Sequence, residues 1–285
     1  MNDTKELGQF IPLHYHYAML YDKARMEGFR SAINHVVKPG ATVLELGSGT
    51  GILSFFAAEK AGKVYSVEYN PELLEHSQRF LSQNRNGEKV ELIHADASEY
   101  VPPEPVDVVI CEMLHVGLLR EKQLAVIHAF KSHYLQRFEG PLPVFVPDAT
   151  IQAVQPIQHD FVFEDYHAPV IIFQYPYAID ERTTELGCPV IYHQVLYDQQ
   201  FGLSCQWSGT LAIAKDGTLN ALRFATKNIL AIKPEEQSSI NWHNQYLVLP
   251  LEKELPVQAG QKVAVSWDYN AGDPLSALQP VVTGI

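Results

Sequence analysis

The first half of the chain alternates short apolar runs with longer amphipathic segments. Four apolar runs predict buried strands, at Val43–Leu46, Val64–Glu68, Val90–His94 and Val106–Cys111. Two amphipathic segments between these runs predict helices, at Ile52–Ala61 and Glu72–Ser82. Strand–helix–strand alternation with short links is typical of a parallel sheet that helices cover on both faces. The pattern therefore predicts an α/β fold with a doubly wound, mostly parallel sheet.

The second half of the chain has a different pattern, which begins after Pro141–Pro143. Its apolar runs are shorter, richer in β-branched and aromatic residues, and punctuated by glycine and proline. They predict strands at Val170–Phe173, Val190–Tyr197, Leu211–Ala214, Ala221–Thr226, Tyr246–Leu251 and Val263–Trp267. Lys215–Gly217 separates two of these runs and predicts a hairpin turn. We therefore expect an antiparallel barrel or sandwich in this half.

Composition and charge narrow the class of protein. The 285 residues are 46% hydrophobic and 19% charged, which is a globular balance, and no apolar run is long enough to span a membrane. The formal net charge is −12 and no run of basic residues exceeds two, so we expect no nucleic-acid partner. Three scattered cysteines predict neither a disulfide framework nor a metal site. The polar N-terminus predicts no export signal, and we expect a cytoplasmic protein.

A glycine-rich turn follows the first predicted strand, with the pattern Glu45-x-Gly47-x-Gly49-x-Gly51. Its glycines are evenly spaced, unlike those of the dinucleotide fingerprint. A carboxylate before such a turn suits the ammonium group of S-adenosylmethionine. Glu68 ends the second strand and is placed to accept the ribose hydroxyls, while Asp96 follows the third strand and is placed to meet the adenine amino group. The sequence therefore predicts an S-adenosylmethionine site.

Two carboxylates, Glu112 and Glu121, follow the fourth strand and lie nine residues apart. The loop that they bracket starts at the sheet edge where ligands of such folds bind. In this feature the chain resembles the protein arginine methyltransferases, which carry a two-glutamate loop after an S-adenosylmethionine fold and before a β-barrel. The chain is similar to that family as a divergent member.

The resemblance extends to three further segments. His16-x-x-Met19-Leu20-x-Asp22-x-x-Arg25 is similar to the helix that covers the cofactor, where it implies that the arginine pairs with the methionine carboxylate. Val146–Ala149 resembles the junction into the barrel, and Asn241–His243 falls where the family has Thr-His-Trp. Asn241 stands at the position of a histidine that pairs with the aspartate matched by Asp22.

The chain also departs from the family at the site. Met113–Val116 replaces the usual Trp-Met-Gly-Tyr, so that the aromatic residues of this loop are lost and His115 is new. Glu45 replaces the usual aspartate. The cofactor site therefore transfers by resemblance more directly than the arginine substrate does.

The resemblance implies three parts of the chain. Residues 1–35 are expected to cover the cofactor, residues 36–143 to form the Rossmann-like cofactor domain, and residues 144–285 to form the substrate barrel. A dimerisation arm is implied near residues 158–188, whose aromatic side chains would suit a homodimer interface or, alternatively, pack inside the barrel. These side chains are Phe161, Phe163, Tyr166, Phe173, Tyr175 and Tyr177.

The candidate site residues fall into two sets, and no metal ligand is among them. The candidate catalytic residues are Glu112, Glu121, His115, Asp22 and Asn241. The candidate cofactor-binding residues are His16, Met19, Arg25, Glu45, Gly47, Ser48, Gly49, Thr50, Gly51, Glu68, Tyr69, Asp96, Ala97 and Glu112.

Three functions remain open on the sequence. The first is methylation of a guanidinium or another cationic nitrogen, in a peptide arginine or a small cationic molecule, bound by two carboxylates that offset its charge. The second is methylation of a small molecule on oxygen, nitrogen or carbon, with His115 as general base. The third is a protein without turnover that binds a partner through its barrel.

Overall fold

A five-stranded sheet forms the first half of the protein, which a computed structural model describes over residues 11–178 and 180–284. Met1–Phe10, where no export signal is expected, lies outside the described residues. The helices are α1 (Leu13–Tyr21), α2 (Lys23–Val36), α3 (Ile52–Ala58), α4 (Pro71–Ser82) and α5 (Gln123–Arg137). The strands are β1 (Thr42–Leu46), β2 (Lys63–Glu68), β3 (Val90–His94), β4 (Val108–Cys111) and β5 (Val144–Val146).

All neighbouring strands of this sheet are parallel, in the order β3-β2-β1-β4-β5. The order reverses between β1 and β4, and ligands of such sheets bind in the crevice at that point. Every residue of β4 is buried, as its continuous Val/Ile content predicts. The predicted doubly wound parallel sheet is therefore confirmed.

Local signals explain where the helices of this half begin. The Asp22 carboxylate accepts a hydrogen bond from the Arg25 backbone N at 3.0 Å and caps α2. The Asn70 side chain caps α4 in the same way, and Pro71 occupies the first position of that helix. Both caps lie beside the sheet edge that carries the ligand crevice, so they fix residues around it.

Some element bounds differ from the sequence prediction. Val144–Val146 pairs with β4, so the parallel sheet extends beyond the boundary expected at residue 143. The fourth strand starts at Val108 because the backbone N of Val106 is bound by the Tyr134 hydroxyl at 3.1 Å instead of by a neighbouring strand. Helix α3 ends at Ala58, three residues before the predicted end.

The second half is antiparallel and barrel-like, as predicted. Its strands are β6 (Ala149–His159), β7 (Val162–Phe163), β8 (Tyr166–His167), β9 (Ile172–Gln174), β10 (Thr183–Glu185), β11 (Val190–Leu196), β12 (Trp207–Ala212), β13 (Gly217–Lys233), β14 (Ser238–His243), β15 (Tyr246–Val257), β16 (Lys262–Trp267) and β17 (Val281–Gly284). The long strands β6, β13 and β15 form the centre of one sheet, and β12, β16 and β17 form a second.

The hairpin predicted at Lys215–Gly217 is wrong. The strand before this turn, β12, pairs with β16, whereas the strand after it, β13, pairs with β6 and β15. Asp216 accepts a hydrogen bond from the backbone N of Ala259 at 2.7 Å, so the turn is held by a different segment. The turn therefore connects two sheets, and turn residues alone do not show which strands they join.

The segment 158–188 lies along the barrel. Within it, β9 pairs with β15 and β10 pairs with β6, while β7 and β8 form a short exposed hairpin. Phe161 is only 2% exposed, so the expectation of an interface residue is wrong for that side chain. Tyr166 and Tyr175 are about 70% exposed, as an interface surface requires.

The two halves share packed surfaces. The core of the parallel sheet includes Leu230 and Trp242 from the barrel, and the Trp242 ring lies 6.1 Å from that of Phe29 on α2. A second core lies inside the barrel. No helix in the two described ranges has the length and apolar character needed to cross a membrane.

Candidate active site

A cavity of about 760 Å³ opens where the sheet order reverses, between the parallel sheet, α1 and the barrel. This volume is in the range of small-molecule and cofactor sites. Six carboxylates line the cavity, against Arg25 and Lys122 as the cations. The six are Asp22, Glu45, Glu68, Asp96, Glu112 and Glu121. The cavity therefore favours cationic ligands.

The glycine-rich turn forms one wall of the cavity. Gly47 and Gly49 have φ angles of +75° and +55°, a left-handed conformation that favours glycine. A Cβ on Gly49 would lie 2.8 Å from Cε1 of His16, because α1 packs over this turn. Ser48 and Thr50 also line the cavity.

Gly51, a predicted cofactor-binding residue, does not line the cavity. It precedes α3 with φ +78°, and a Cβ there would lie 2.9 Å from Oγ of Ser77 on α4. The third glycine of the motif therefore permits the turn and close helix packing.

Glu68 lies at the end of β2 and stabilises the turn. One of its carboxylate oxygens accepts a hydrogen bond from the backbone N of Gly49 at 2.7 Å, and the other accepts one from Asn70 at 2.8 Å. Each carboxylate oxygen can accept a further hydrogen bond. The carboxylate is therefore both held in place and able to bind hydroxyl groups in the cavity.

The adenine side of the expected cofactor site lies at the end of β3. Oδ1 of Asp96 accepts hydrogen bonds from N and Oγ of Ser98, at 2.9 Å and 2.7 Å. Within the described residues no hydrogen bond engages Oδ2, which leaves it as an acceptor. Tyr69 and Ala97 line the same part of the cavity.

Glu45 is a buried carboxylate at the end of β1. The Ser54 hydroxyl donates a hydrogen bond to it. Burial raises the pKa of Glu45 to about 8, and the carboxylates of Glu68 and Glu112 add to this rise. An ammonium group in the cavity would stabilise the ionised form.

Arg25 is the cation at the centre of the cavity. Its guanidinium forms an ion pair with Glu112 and donates a hydrogen bond to the backbone O of Met19 at 3.4 Å. The rings of Phe29 and Trp242 lie within 5.9 Å of the guanidinium carbon. Pairing of Arg25 with a cofactor carboxylate stays a prediction.

The two glutamates of the loop lie together at the barrel side of the cavity. Burial raises the pKa of Glu112, which the Arg25 cation partly offsets. Burial raises the pKa of Glu121 to about 8, and the Glu112 carboxylate adds to this rise. Among the residues that the structure describes, no hydrogen bond or ion pair engages the Glu121 side chain. This carboxylate is therefore available to a ligand.

His115 also lines the cavity. Its ring packs edge-on against Phe173 with the centroids 5.7 Å apart, and its Nδ1 lies 3.2 Å from the backbone O of Val116. Burial and the Arg120 cation lower the pKa of His115 to about 4, so the imidazole is neutral at physiological pH. A neutral imidazole accepts a proton weakly but offers a hydrogen-bond acceptor.

Asn241 does not reach the cavity, and the role expected for it with Asp22 is wrong. Its side chain bonds Ser239, while Asp22 caps α2. His243, two positions further along β14, lines the cavity instead, and its buried Nδ1 has no hydrogen-bond partner in the described ranges. Residues two apart on a strand share a face, so the local hydrogen bonds of Asn241 with Ser239, and not strand alternation, distinguish its side chain from that of His243.

Buried polar atoms in the cavity fit an S-adenosylmethionine ligand. His16 Nε2 and Ser48 Oγ are buried without hydrogen-bond partners in the described part of the chain. Both lie beside the glycine-rich turn, where they can bond a polar amino-acid or ribose group. Across residues 11–178 and 180–284, no group of three or more His, Cys, Asp or Glu side chains has a metal-binding arrangement.

Comparisons with known proteins agree with this geometry. A family description named "Methyltransferase domain" matches residues 43–134. An uncharacterised protein of Methanocaldococcus jannaschii is 27% identical over 265 residues, which cover 93% of this chain and 95% of that protein. An arginine N(omega)-methyltransferase of Streptomyces achromogenes subsp. streptozoticus is 25% identical over 281 residues, covering 88% of this chain and 74% of that protein.

The fold is also shared with a solved structure of PRMT1 from Trypanosoma brucei. The two folds superimpose with a TM-score of 0.76 at 16% sequence identity, over 96% of this chain and 98% of that chain. That structure is an enzyme–prozyme heterotetramer with AdoHcy. The likeness extends over both the parallel sheet and the barrel.

Proposed function

We propose that this S-adenosylmethionine-dependent methyltransferase is a member of the protein arginine methyltransferase family and that its acceptor is the guanidinium group of arginine. One observation carries this proposal. Glu121 lines the cavity beside Glu112 with no protein partner among the described residues, and because burial raises its pKa to about 8, a cationic ligand would bind by stabilising its ionised form.

The charge balance of the cavity supports a cationic acceptor. A guanidinium remains protonated at any physiological pH and offers paired N–H donors that match carboxylates. The relative from Streptomyces achromogenes carries the name arginine N(omega)-methyltransferase. Free arginine and peptide arginine share this group, and the test below separates them.

The chain's own residues have distinct tasks in the proposed reaction. Glu45, Glu68 and Asp96 would hold the cofactor, and S-adenosylmethionine supplies the electrophilic methyl group when bound. Arg25 holds Glu112 in place. Glu112 and Glu121 orient the guanidinium and stabilise its charge.

A proton must leave the nitrogen that receives the methyl group. The protonated guanidinium gains a methyl group and loses one hydrogen, so the methylated product keeps its single positive charge. Glu121 is the residue that we assign to accept this proton. The bound guanidinium favours the ionised form of Glu121, and because burial raises its pKa to about 8, this carboxylate is a stronger base than an exposed glutamate.

A screen of methyl acceptors tests the proposal. Purified protein is incubated with methyl-labelled S-adenosylmethionine and either free L-arginine, an arginine peptide or neutral hydroxylated metabolites, and fragmentation mass spectrometry locates the methyl group. We expect the label on a guanidinium nitrogen. Labelling of neutral compounds alone, lost in His115→Ala, would overturn the proposal in favour of His115 as general base.

We also propose that the chain forms a homodimer through the segment 158–188. The exposed rings of Tyr166 and Tyr175 support this, because large aromatic side chains are enriched in interfaces. Light scattering after gel filtration should give twice the chain mass, and Tyr166→Ser with Tyr175→Ser should shift it to that of one chain. A single-chain mass for the parent protein contradicts the proposal.

A further inference from the structure

The loop between Glu112 and Glu121 is anchored at its centre by two barrel residues. Oγ1 of Thr226 on β13 accepts a hydrogen bond from the backbone N of Gly117 at 2.8 Å. The Tyr269 hydroxyl donates a hydrogen bond to the backbone O of the same glycine at 2.8 Å. The backbone N–H and the backbone C=O of Gly117 are therefore both held by side chains from the other half of the protein.

Gly117 suits this double anchor. Its φ is +70°, which favours glycine, and a Cβ there would lie 3.4 Å from the Tyr269 hydroxyl. Burial raises the pKa of the Tyr269 phenol, which keeps its proton and remains a donor. Tyr192 contacts that hydroxyl at 3.2 Å from within the barrel core.

Other barrel groups hold the rest of the loop. Asn244 donates to the backbone O of Leu114 at 2.8 Å, and its own side-chain oxygen accepts from the buried Asn228 at 2.9 Å. Backbone hydrogen bonds from the turn 270–273 reach the loop residues Leu118 and Arg120, at 2.8 Å and 2.7 Å. Within residues 11–178 and 180–284, the hydrogen bonds to this loop from the side of the parallel sheet reach only its start, where the Gln123 side chain accepts from the backbone N of Met113.

We propose that Thr226 and Tyr269 are positioning residues, which fix the position of Glu121 relative to Glu112. Neither residue lines the cavity, so each acts through the Gly117 backbone. Glu112 directly follows β4, whereas Glu121 lies beyond the anchored loop and depends on the barrel for its place. The inference rests on the proposed function for its consequence in turnover, but the anchoring itself does not depend on the identity of the acceptor.

The test compares variants that remove one hydroxyl each. Thr226→Val and Tyr269→Phe keep nearly the same volume, and Thr226→Ser keeps the acceptor oxygen. Tyr134→Phe is the matched control, because it removes a buried tyrosine hydroxyl that binds the Val106 backbone away from the cavity. Amide hydrogen exchange at residues 112–121 is measured on protein loaded with S-adenosylhomocysteine, together with cofactor affinity and turnover of an arginine acceptor.

The expected result is specific to the loop. Thr226→Val and Tyr269→Phe should each speed exchange of the loop amides by roughly tenfold, as loss of one buried hydrogen bond predicts. Turnover should fall by a similar factor or more, with cofactor affinity unchanged. Thr226→Ser, which keeps the hydroxyl, should show parent-like exchange of the loop amides and parent-like turnover. Tyr134→Phe should leave the loop amides unchanged.

Two outcomes overturn the inference. One is parent-like exchange of the loop amides in both variants. The other is altered exchange with parent-like kcat and KM, which would show that the anchors do not position the glutamates. If no arginine acceptor is turned over by the parent protein, the proposed function fails, and the exchange measurement still decides whether the barrel anchors the loop.

Discussion

The two ends of the cavity are built in different ways. At the cofactor end, Glu45 and Glu68 lie in the last two residues of their strands and Asp96 lies two residues after β3, so that short local segments determine the site. At the acceptor end, Glu121, His243 and Phe173 come from separate parts of the chain and meet only when the barrel packs on the sheet. The cofactor end can therefore stay constant while the acceptor end changes.

The largest expected effect is a loss of turnover from a change at the acceptor end alone. Glu121→Gln keeps the size of the side chain and removes its charge, so turnover of an arginine acceptor should fall by roughly a hundredfold to a thousandfold, as loss of preorganised electrostatic stabilisation does in other enzymes. Affinity for S-adenosylhomocysteine, measured by calorimetry, should be close to that of the parent. Parent-like turnover in this variant would remove Glu121 from the mechanism.

The converse change weakens cofactor binding at the cofactor end. Glu68→Ala removes a charged acceptor, which is worth about 1.5–3 kcal/mol per hydrogen bond, so cofactor affinity should fall roughly tenfold to a hundredfold. Glu91→Ala is the control, because Glu91 lies on β3 in an exposed ion pair with Lys63. Unchanged cofactor affinity in folded Glu68→Ala would contradict the ribose assignment.

A smaller effect distinguishes two residues that lie two positions apart on β14. His243→Ala should raise the KM for the acceptor about threefold to tenfold, because the imidazole lines the cavity and its buried Nδ1 can bond a ligand. Asn241→Ala is the matched variant and should leave KM unchanged, since its side chain bonds Ser239. Equal effects of the two changes would contradict the placement of this strand.

The smallest expected effect concerns stability and pH. Because the pKa of Glu45 is about 8 in the folded protein and near 4.5 when unfolded, its stabilising contribution is full at acid pH and is lost as the pH rises toward 8. The melting temperature of ligand-free protein should therefore decline between about pH 5 and about pH 8.5. Glu45→Gln should reduce this decline, and an unchanged decline would argue against a buried neutral Glu45.

Most of the cofactor end follows from the sequence. The alternation of strands and helices and the spacing of Glu45, Glu68 and Asp96 depend on local patterns that a sequence displays. The acceptor end depends on contacts between distant residues, such as Gly117 with Thr226 and with Tyr269, which lie 109 and 152 residues apart. No local periodicity reports such contacts.

The errors at the acceptor end have physical causes. Asn241 and His243 lie two positions apart on β14 and therefore share a strand face, but the Asn241 side chain bonds Ser239, a local contact that its motif position does not show. The turn Lys215–Gly217 has the residues of a hairpin, but long-range pairing of β12 with β16 overrides that preference. Gly51 has the motif spacing and yet serves helix packing.

The central claim is that the cavity recognises the positive charge of its acceptor through the glutamate pair. Calorimetric binding of arginine and of citrulline, its neutral isostere, to protein loaded with S-adenosylhomocysteine tests this claim most directly, with each compound free and within a matched peptide. We predict that the parent binds arginine at least about tenfold more tightly than citrulline in one of the two forms, and that Glu121→Gln loses this preference. Absence of any preference for arginine over citrulline in both forms would contradict the account.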